Sequence, residues 1–553
     1  MRGAFRACSA LVVAVVAGGV LAAQPPATTL RFEITLPAGV DSAAVDGRAF
    51  VIVSNSPRTE PRLSIDSPPE TEPFFALNVE SLRPGQRVTV DDRTEGYPIE
   101  RLHALPAGDY SVQALLNVYE TVRRADGHVV KMHMDQWEGQ HFEISPGNRY
   151  SSPQQVHIDP RRGQRINLTL DRIVPAITPP QDTEYVRHLK FQSPSLSAFW
   201  GRPIFIGATV LVPRDYDSNT GVSYPVLYEQ GHFSTGAPGG FGESLVVPLD
   251  ADESARAAAQ RRQAFTDAWT SDEFPRILYA TFQHPTPYYD ASYGIDSPNV
   301  GPYGHAIVDE LIPYVESHFR AIREPRARIL YGGSTGGWEA LALQIFHPDF
   351  FGSTYAACPD PVDFHAFQIV NIYEWPNAWF RRTGWIEVPL PSWRTVDGIV
   401  TLTMEQELKF ERTRGDRGRS GGQWDAWQAA YGPLGDDGYF KPLFDPRTGA
   451  IDASVAAYWR THTDLTEYLR THWSEVGPRL AGKLHISVGD MDTYYLNNAV
   501  HLMEDFLATT KSPPWGGTVV YGPRQPHCWA GPLTLSERVK VMAQEAARAA
   551  ARQ

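Results

Sequence analysis

Short runs of alternating apolar and polar residues fill the chain from Thr29 to about Val174: Leu30–Leu36, Arg48–Val53, Tyr110–Val118 and Arg165–Leu170. Turn-forming clusters separate them, among them Pro37-Ala38-Gly39, Pro84-Gly85, Pro106-Ala107-Gly108-Asp109 and Pro146-Gly147-Asn148. A period of two buries one face of a strand and wets the other. The pattern predicts an antiparallel β-sandwich over residues 24–175. The proline-rich run Val174-Pro175-Ala176-Ile177-Thr178-Pro179-Pro180 opens a linker, taken as 176–192.

After about Ser193 the pattern changes. Ile204–Val212, Tyr224–Tyr228, Arg276–Phe282 and Arg328–Tyr331 read as strands. Between them, Ala255–Trp269 and His305–Phe319 read as helices, the second with Ile307, Leu311, Ile312, Val315 and Phe319 on one face. Strands alternating with helices predict a mostly parallel sheet, and hence an α/β domain over residues 193–553.

Composition narrows the function. The chain has 553 residues, 42% hydrophobic and 20% charged, an ordinary globular balance. Its net charge of −13 argues against nucleic acid, whose phosphates need a positive surface. At the N-terminus, Arg2 and Arg6 precede the apolar stretch Ala10–Val16, and Leu21-Ala22-Ala23 supplies small residues. That is the form of a secretory signal peptide over 1–23, cut near Ala23. Its apolar core is shorter than the ~20 residues a membrane span needs, so the mature chain is expected to be exported, periplasmic or secreted, with no membrane insertion. Cys8 leaves with the leader, and Cys358 and Cys528 remain in a compartment that permits oxidation. His128, His133, Asp135 and His141 lie close in sequence, but surface strand positions account for them, and no metal or organic cofactor is expected.

One segment carries specific chemistry. The strand Arg328–Tyr331 runs into Gly332-Gly333-Ser334-Thr335-Gly336-Gly337, and a helix with Trp338, Leu341 and Ile345 follows. Gly-x-Ser-x-Gly between strand and helix is a nucleophile elbow, whose sharp turn requires flanking positions without bulk. Ser334 then stands at a helix N-terminus, where developing negative charge is favoured.

The run from Tyr303 to Phe351 resembles the putative-esterase branch of the α/β-hydrolases, which includes esterase D, feruloyl, acetyl-xylan and siderophore esterases. The resemblance rests on Asp309–Glu316 before the strand, the elbow itself, His347-Pro348-Asp349-Phe350-Phe351 after the helix, and Tyr224–Gly231 upstream. It covers roughly 200–355 and 482–535 in pieces. It implies an α/β-hydrolase fold and a triad in the order Ser, acid, His. The strand Leu484–Val488 ends in Gly489-Asp490-Met491-Asp492, and Gly-x-x-Asp fits the family's acid, Asp492. Asp490 and Asp360 are the alternatives. After the strand Gly517–Tyr521 comes His527-Cys528-Trp529, similar to the family's Gly-x-His-x-Trp, so His527 is the expected general base. The oxyanion hole falls to the backbone N–H of Thr335 and of His232 or Phe233. In the family a His usually precedes the Gly of this loop, where this chain has Gln230 before Gly231. Phe233, Trp338 and Trp529 are the candidate substrate contacts.

A long stretch separates Ser334 from Asp492, and between Pro359 and Leu480 it holds eight of the chain's 14 tryptophans. We read residues about 360–480 as an inserted Trp-rich cap, most of its tryptophans packing a core of its own and about two facing the pocket. Trp and Tyr suit sugar rings and aromatic acyl groups. The loop Gly236–Gly242 either cradles substrate or is a plain turn. Cys358 and Cys528 could be joined after export. The pairing of tannase-like esterases, one Cys beside Ser and one beside His, is not met, because Gly333 precedes Ser334.

The expected function is an exported serine ester hydrolase acting on acyl esters of carbohydrates or aromatic acids, small or polymeric. A siderophore esterase, a serine exopeptidase, and a non-catalytic carbohydrate-binding or adhesion protein with a hydrolase-like domain are the competing readings.

Overall fold

The computed structural model describes residues 29–551, except 40–42, 57–58, 66–67 and 243–251. The expected leader at 1–23 lies outside the described residues. From Arg31 to Ile173 the chain builds two facing β-sheets. The smaller has Arg31–Thr35 at its centre, between Arg165–Thr169 and Arg87–Val90. The larger is organised around Gly108–Arg123, paired antiparallel with Val45–Ser54. Phe32, Ile34, Val51, Val53, Leu116 and Leu168 bury their side chains in the core of this region. One pairing departs from the antiparallel expectation: Arg31–Thr35 runs parallel to Arg165–Thr169. A parallel pair needs a long connection, and here the whole region supplies it.

The second part is an eight-stranded sheet. Its strands are β1 (Val186–Gln192), β2 (Phe205–Leu211), β3 (Val226–Gln230), β4 (Leu278–Gln283), β5 (Arg328–Gly333), β6 (Ser353–Ala357), β7 (Leu484–Gly489) and β8 (Thr518–Gly522). Their spatial order is β1-β2-β4-β3-β5-β6-β7-β8. β1 pairs antiparallel with β2, and β2 with β4; every pair from β4 to β8 is parallel. β1 falls inside the segment expected to be linker. Its Val-Arg-His-Leu-Lys-Phe-Gln alternation is too polar for a central strand but suits an edge that faces water. Leu227 and Ile329 face one layer of apolar residues, and Val226, Tyr228 and Leu330 face the other, so the sheet is covered on both sides.

The helix α1 (Thr335–Phe346) leaves β5 and is buried along nearly its whole length. The cap is inserted between β6 and β7. It carries two hairpins and four helices, among them α2 (Met404–Arg414) and α3 (Gln423–Tyr431). Trp424, Trp427 and Trp459 are buried in the cap; Trp427 packs edge to face with Trp424 and Phe367, and Trp459 with Phe364. This aromatic cluster is continuous with the core under α1, whereas Trp385 at a hairpin tip is fully exposed. The N-terminal region braces the cap. Phe410 of α2 inserts between Phe74 and Tyr97, with ring centroids 5.9 and 5.3 Å away, and Arg48 donates to the Thr413 carbonyl at 2.8 Å.

At the start of β5, Arg328 forms a two-pronged ion pair with Glu316, 2.7 and 3.0 Å long, and Tyr228 donates to the same carboxylate at 3.2 Å. Both side chains are nearly buried, so removing one partner strands the other charge. Arg328→Met is expected to lower unfolding free energy by about 3–5 kcal/mol in a denaturant titration. The double variant Arg328→Met/Glu316→Leu is expected to recover most of that loss. Equal destabilisation in both would show that the pair itself is not the cause.

Candidate active site

β5 ends where the backbone must turn back over the sheet. A Cβ on Gly332 would lie 2.2 Å from the Gly336 carbonyl oxygen, and one on Gly336 would lie 2.0 Å from that of Gln230. Only glycine fits either position. Ser334, between them, holds φ 57° and ψ −123°, in the left-handed half of the map that a non-glycine residue rarely occupies. Its N–H donates to the Ala357 carbonyl at the end of β6, 3.0 Å away. The side chain is thereby aimed out of the sheet at the N-terminus of α1.

The loops after β7 and β8 meet it there. His527 Nε2 lies 2.9 Å from Ser334 Oγ, and His527 Nδ1 lies 2.8 Å from Asp492 Oδ2. Asp492 is fully buried, and its other oxygen accepts the N–H of Tyr494 at 2.9 Å and of Leu496 at 3.2 Å. Asp490, the alternative acid, accepts the N–H of Arg524 instead and does not touch the imidazole. Burial works against a charged His527 ring, but the Asp492 hydrogen bond and the Cys528 thiol outweigh it and lift its pKa to about 10. Tyr494 packs edge-on against the ring, with centroids 4.6 Å apart.

A second carboxyl approaches the same hydroxyl from the other side. Asp360, three residues past β6, places Oδ1 3.4 Å from Ser334 Oγ. Its Oδ2 accepts from Tyr293 Oη at 2.8 Å, Trp427 Nε1 at 3.1 Å, Gln423 Nε2 at 3.1 Å and Thr335 Oγ1 at 3.2 Å. Burial pushes the Asp360 pKa above its ordinary value, although these donors and the nearby imidazoles oppose the shift.

The half-exposed His232 hydrogen-bonds Asp290 through Nδ1 at 3.1 Å. Burial lowers its pKa, but the Asp290 charge overrides this and raises it to about 9. Among the described residues, the N–H groups of His232 and Phe233 donate to no protein acceptor. The N–H of Thr335, first in α1, belongs to the set that a helix leaves without an intrahelical partner. These are the groups an oxyanion hole requires.

Ser334, His527, His232 and Asp360 open into a cavity of about 440 Å³, walled by Tyr289, Trp393, Phe410, Trp427 and Tyr494. Two cap tryptophans therefore face it. Glu407 and Glu411 of α2 also line it, and burial raises both of their pKa values. Pro68 brings the N-terminal region to its rim.

The expected aromatic contacts lie elsewhere. Trp338 is fully buried, packed on Tyr431 and Tyr293 at 4.8 and 5.6 Å, because its position on α1 points into the molecule. Phe233 turns outward onto Trp137 of the N-terminal region, 5.3 Å away. Trp529 covers Gly522, where a Cβ would lie 2.6 Å from its ring. The turn Pro238–Gly240 rests on Phe265 and Arg262 of the helix Glu253–Thr270 rather than on the cavity. Gln423, Tyr289, Trp393 and Glu407 had no motif to announce them, since long-range packing alone brings them to Ser334.

Cys358 and Cys528 are free thiols, but their sulfurs and a ring nitrogen of His527 lie within 4.8 Å of one another. The contact with Cys358 lowers the Cys528 pKa to about 5, against burial and with help from His527. The residues His128, His133, Asp135 and His141 do not gather: His133 binds Glu138 at 2.8 Å, and Asp135 accepts backbone N–H groups.

Residues 205–428 match the profile of the family described as "Esterase: Putative esterase". Among solved structures, the chain is similar to a ferulic acid esterase, at 15% identity over 66% of this chain and 99% of that one, with a TM-score of 0.38. It is also similar to an S-formylglutathione hydrolase from Agrobacterium tumefaciens, at 14% identity over 67% and 98%, TM-score 0.34. FphF, a fluorophosphonate-binding serine hydrolase of Staphylococcus aureus, gives 12% identity over 65% and 98%, TM-score 0.32. No curated protein matches the chain. The matched residues 205–428 carry the elbow and Ser334, and over them the chain is similar to the putative-esterase family.

Proposed function

We propose that the protein is an exported serine hydrolase that cleaves carboxylic esters through an acyl-enzyme. The observation that carries this reading is the unbroken chain Ser334 Oγ–His527–Asp492, with links of 2.9 and 2.8 Å. His527 takes the Ser334 proton as the hydroxyl attacks the ester carbonyl, and Asp492 fixes the tautomer and supports the imidazolium. The N–H groups of Thr335 and His232 receive the oxyanion. His527 then returns its proton to the leaving alcohol, and water releases the acid by the same steps. The aromatic walls of the cavity suit an acyl ester of an aromatic acid or a sugar. Export rests on the Arg2–Ala23 sequence pattern. The N-terminal amino acid of the protein recovered from the culture medium or periplasm is expected to lie near Gln24; a chain still starting at Met1 would overturn export by this route.

Hydrolysis of p-nitrophenyl acetate tests the mechanism. Ser334→Ala and His527→Ala are each expected to lower kcat by about 10³-fold or more, and the double variant no further, because the two act as a unit. Asp492→Asn is expected to lose about 10²–10⁴-fold while Asp490→Asn loses little. Turnover surviving in Ser334→Ala would end the reading.

The base must be neutral to accept a proton, and a His527 pKa raised to about 10 puts the rise of kcat/KM on the alkaline side. Cys528→Ser removes a neighbouring negative charge, which makes the imidazolium easier to deprotonate. The midpoint of that rise is expected to move to lower pH by about one unit. A midpoint that stays in place would show that the thiol does not act on His527.

A further inference from the structure

Asp360 is not needed for the triad, yet it is a carboxyl group beside the nucleophile. Its two oxygens differ. Oδ2 takes four donors, at 2.8, 3.1, 3.1 and 3.2 Å, more than the lone pairs of one oxygen can serve well. Among the described residues, the side-chain partner of Oδ1 is Ser334 Oγ at 3.4 Å, and that hydroxyl has the better acceptor in His527 at 2.9 Å. Oδ1 is therefore an acceptor with spare capacity, at the reacting atom and on a wall of the substrate cavity. Asp360 is only 3% exposed, so its carboxyl is largely withdrawn from bulk water and a poorly made hydrogen bond there is costly. A negative oxygen here also opposes the charge that grows on an oxyanion held by Thr335, whose hydroxyl touches Asp360. Both costs vanish for a substrate that brings its own donor.

We propose that Asp360 Oδ1 selects substrates bearing a hydrogen-bond donor, a hydroxyl or an ammonium group, on the carbon next to the scissile carbonyl. The inference deepens the ester-hydrolase reading and rests on it. Tyr293, Gln423, Trp427 and Thr335 hold the carboxyl in one orientation, so Oδ1 keeps its place whether or not substrate is bound. The donor on the substrate then occupies a fixed acceptor while the carbonyl sits over Ser334. Plain acyl esters leave that acceptor unpaired, and an unpaired buried polar group is what makes such a site discriminate.

Three methyl esters that differ in one substituent test this: those of 3-phenylpropanoic acid, phenyllactic acid and phenylalanine, with hydrogen, hydroxyl and ammonium on the carbon next to the carbonyl. Hydrolysis is followed by acid release, and the readout is the ratio of kcat/KM values within each enzyme. In the wild type, phenyllactate or phenylalanine ester is expected to exceed phenylpropanoate ester by about tenfold or more. The hydroxyl and ammonium esters separately tell which donor is preferred. In Asp360→Asn, which turns a donor amide or a neutral acceptor toward Ser334, the ratio is expected to fall toward one. A wild-type ratio of one overturns the inference without any variant, and so does a ratio that persists in folded Asp360→Asn. If the wild type hydrolyses neither these esters nor p-nitrophenyl acetate, the ester-hydrolase reading falls first and takes this inference with it. Turnover without selectivity overturns the role of Asp360 alone.

Discussion

The site depends on how closely three backbones meet around Ser334. Gly332 and Gly336 touch, Gly336 touches the end of β3, and the Ser334 N–H is tied to the end of β6. A serine held at φ 57° costs of the order of 1–3 kcal/mol and persists only where the surroundings leave no alternative. Here the two neighbours of β5 in the sheet impose it. Ser334 is thus placed by the interior of the sheet, and its partners must come to it. They come from the next strands outward, because β7 and β8 follow β6 in the sheet and their C-terminal loops open on the same edge. The chain order Ser334, Asp492, His527 follows from that strand order.

This explains which parts were legible. The elbow is local: strand, glycines, serine and helix lie within twenty residues. The acid and the histidine stand at strand ends, and Asp492 separates from Asp490 only through its partners: Asp492 meets the imidazole, whereas Asp490 accepts the N–H of Arg524. The aromatic contacts were not legible. Trp338 and Phe233 neighbour Ser334 and His232 in sequence, but a helix and a tight loop direct them to the core and to Trp137. Proximity along the chain does not give side-chain direction. The parallel pairing of the first sandwich strand and the edge strand β1 were missed for a related reason: pairing partners are set by the whole region, not by the run itself. Asp360 was visible only as a lesser alternative for the triad acid. Its geometry beside Ser334 comes from Tyr293 and from Gln423 and Trp427 of α3, two segments far from Asp360 in sequence.

The cavity is unusual in its acids. Asp360, Glu407 and Glu411 are all buried at its walls, and burial raises the pKa of each. The protein meets their hydrogen-bonding needs with groups from the cap. Glu407 accepts from Trp393 and Trp424 indoles, at 3.2 and 3.3 Å, and Glu411 accepts the first N–H groups of α3, both at 2.9 Å. Those last contacts place a carboxyl at a helix N-terminus, where the exposed N–H groups and the dipole favour it. The acids therefore order the cap as much as they line the pocket: α2 and α3 are locked together through Glu411.

The same helix shows why the N-terminal region is more than an appendage. α2 offers Glu407 and Glu411 to the cavity while Phe410 reaches the aromatic cluster of the sandwich, and Arg48 closes its C-terminal end by taking up the Thr413 carbonyl. A cation on the last carbonyls of a helix satisfies acceptors that the helix itself cannot. Arg48 is in turn held by Asn78, whose amide also reaches Asp416 just past the helix. Cap, cavity wall and sandwich thus share one helix. Opening the cavity at α2 would have to break the Phe410 packing and the Arg48 hydrogen bonds together, so the sandwich sets how rigid that cavity wall is, even though, among the described residues, Pro68 alone brings it to the cavity rim.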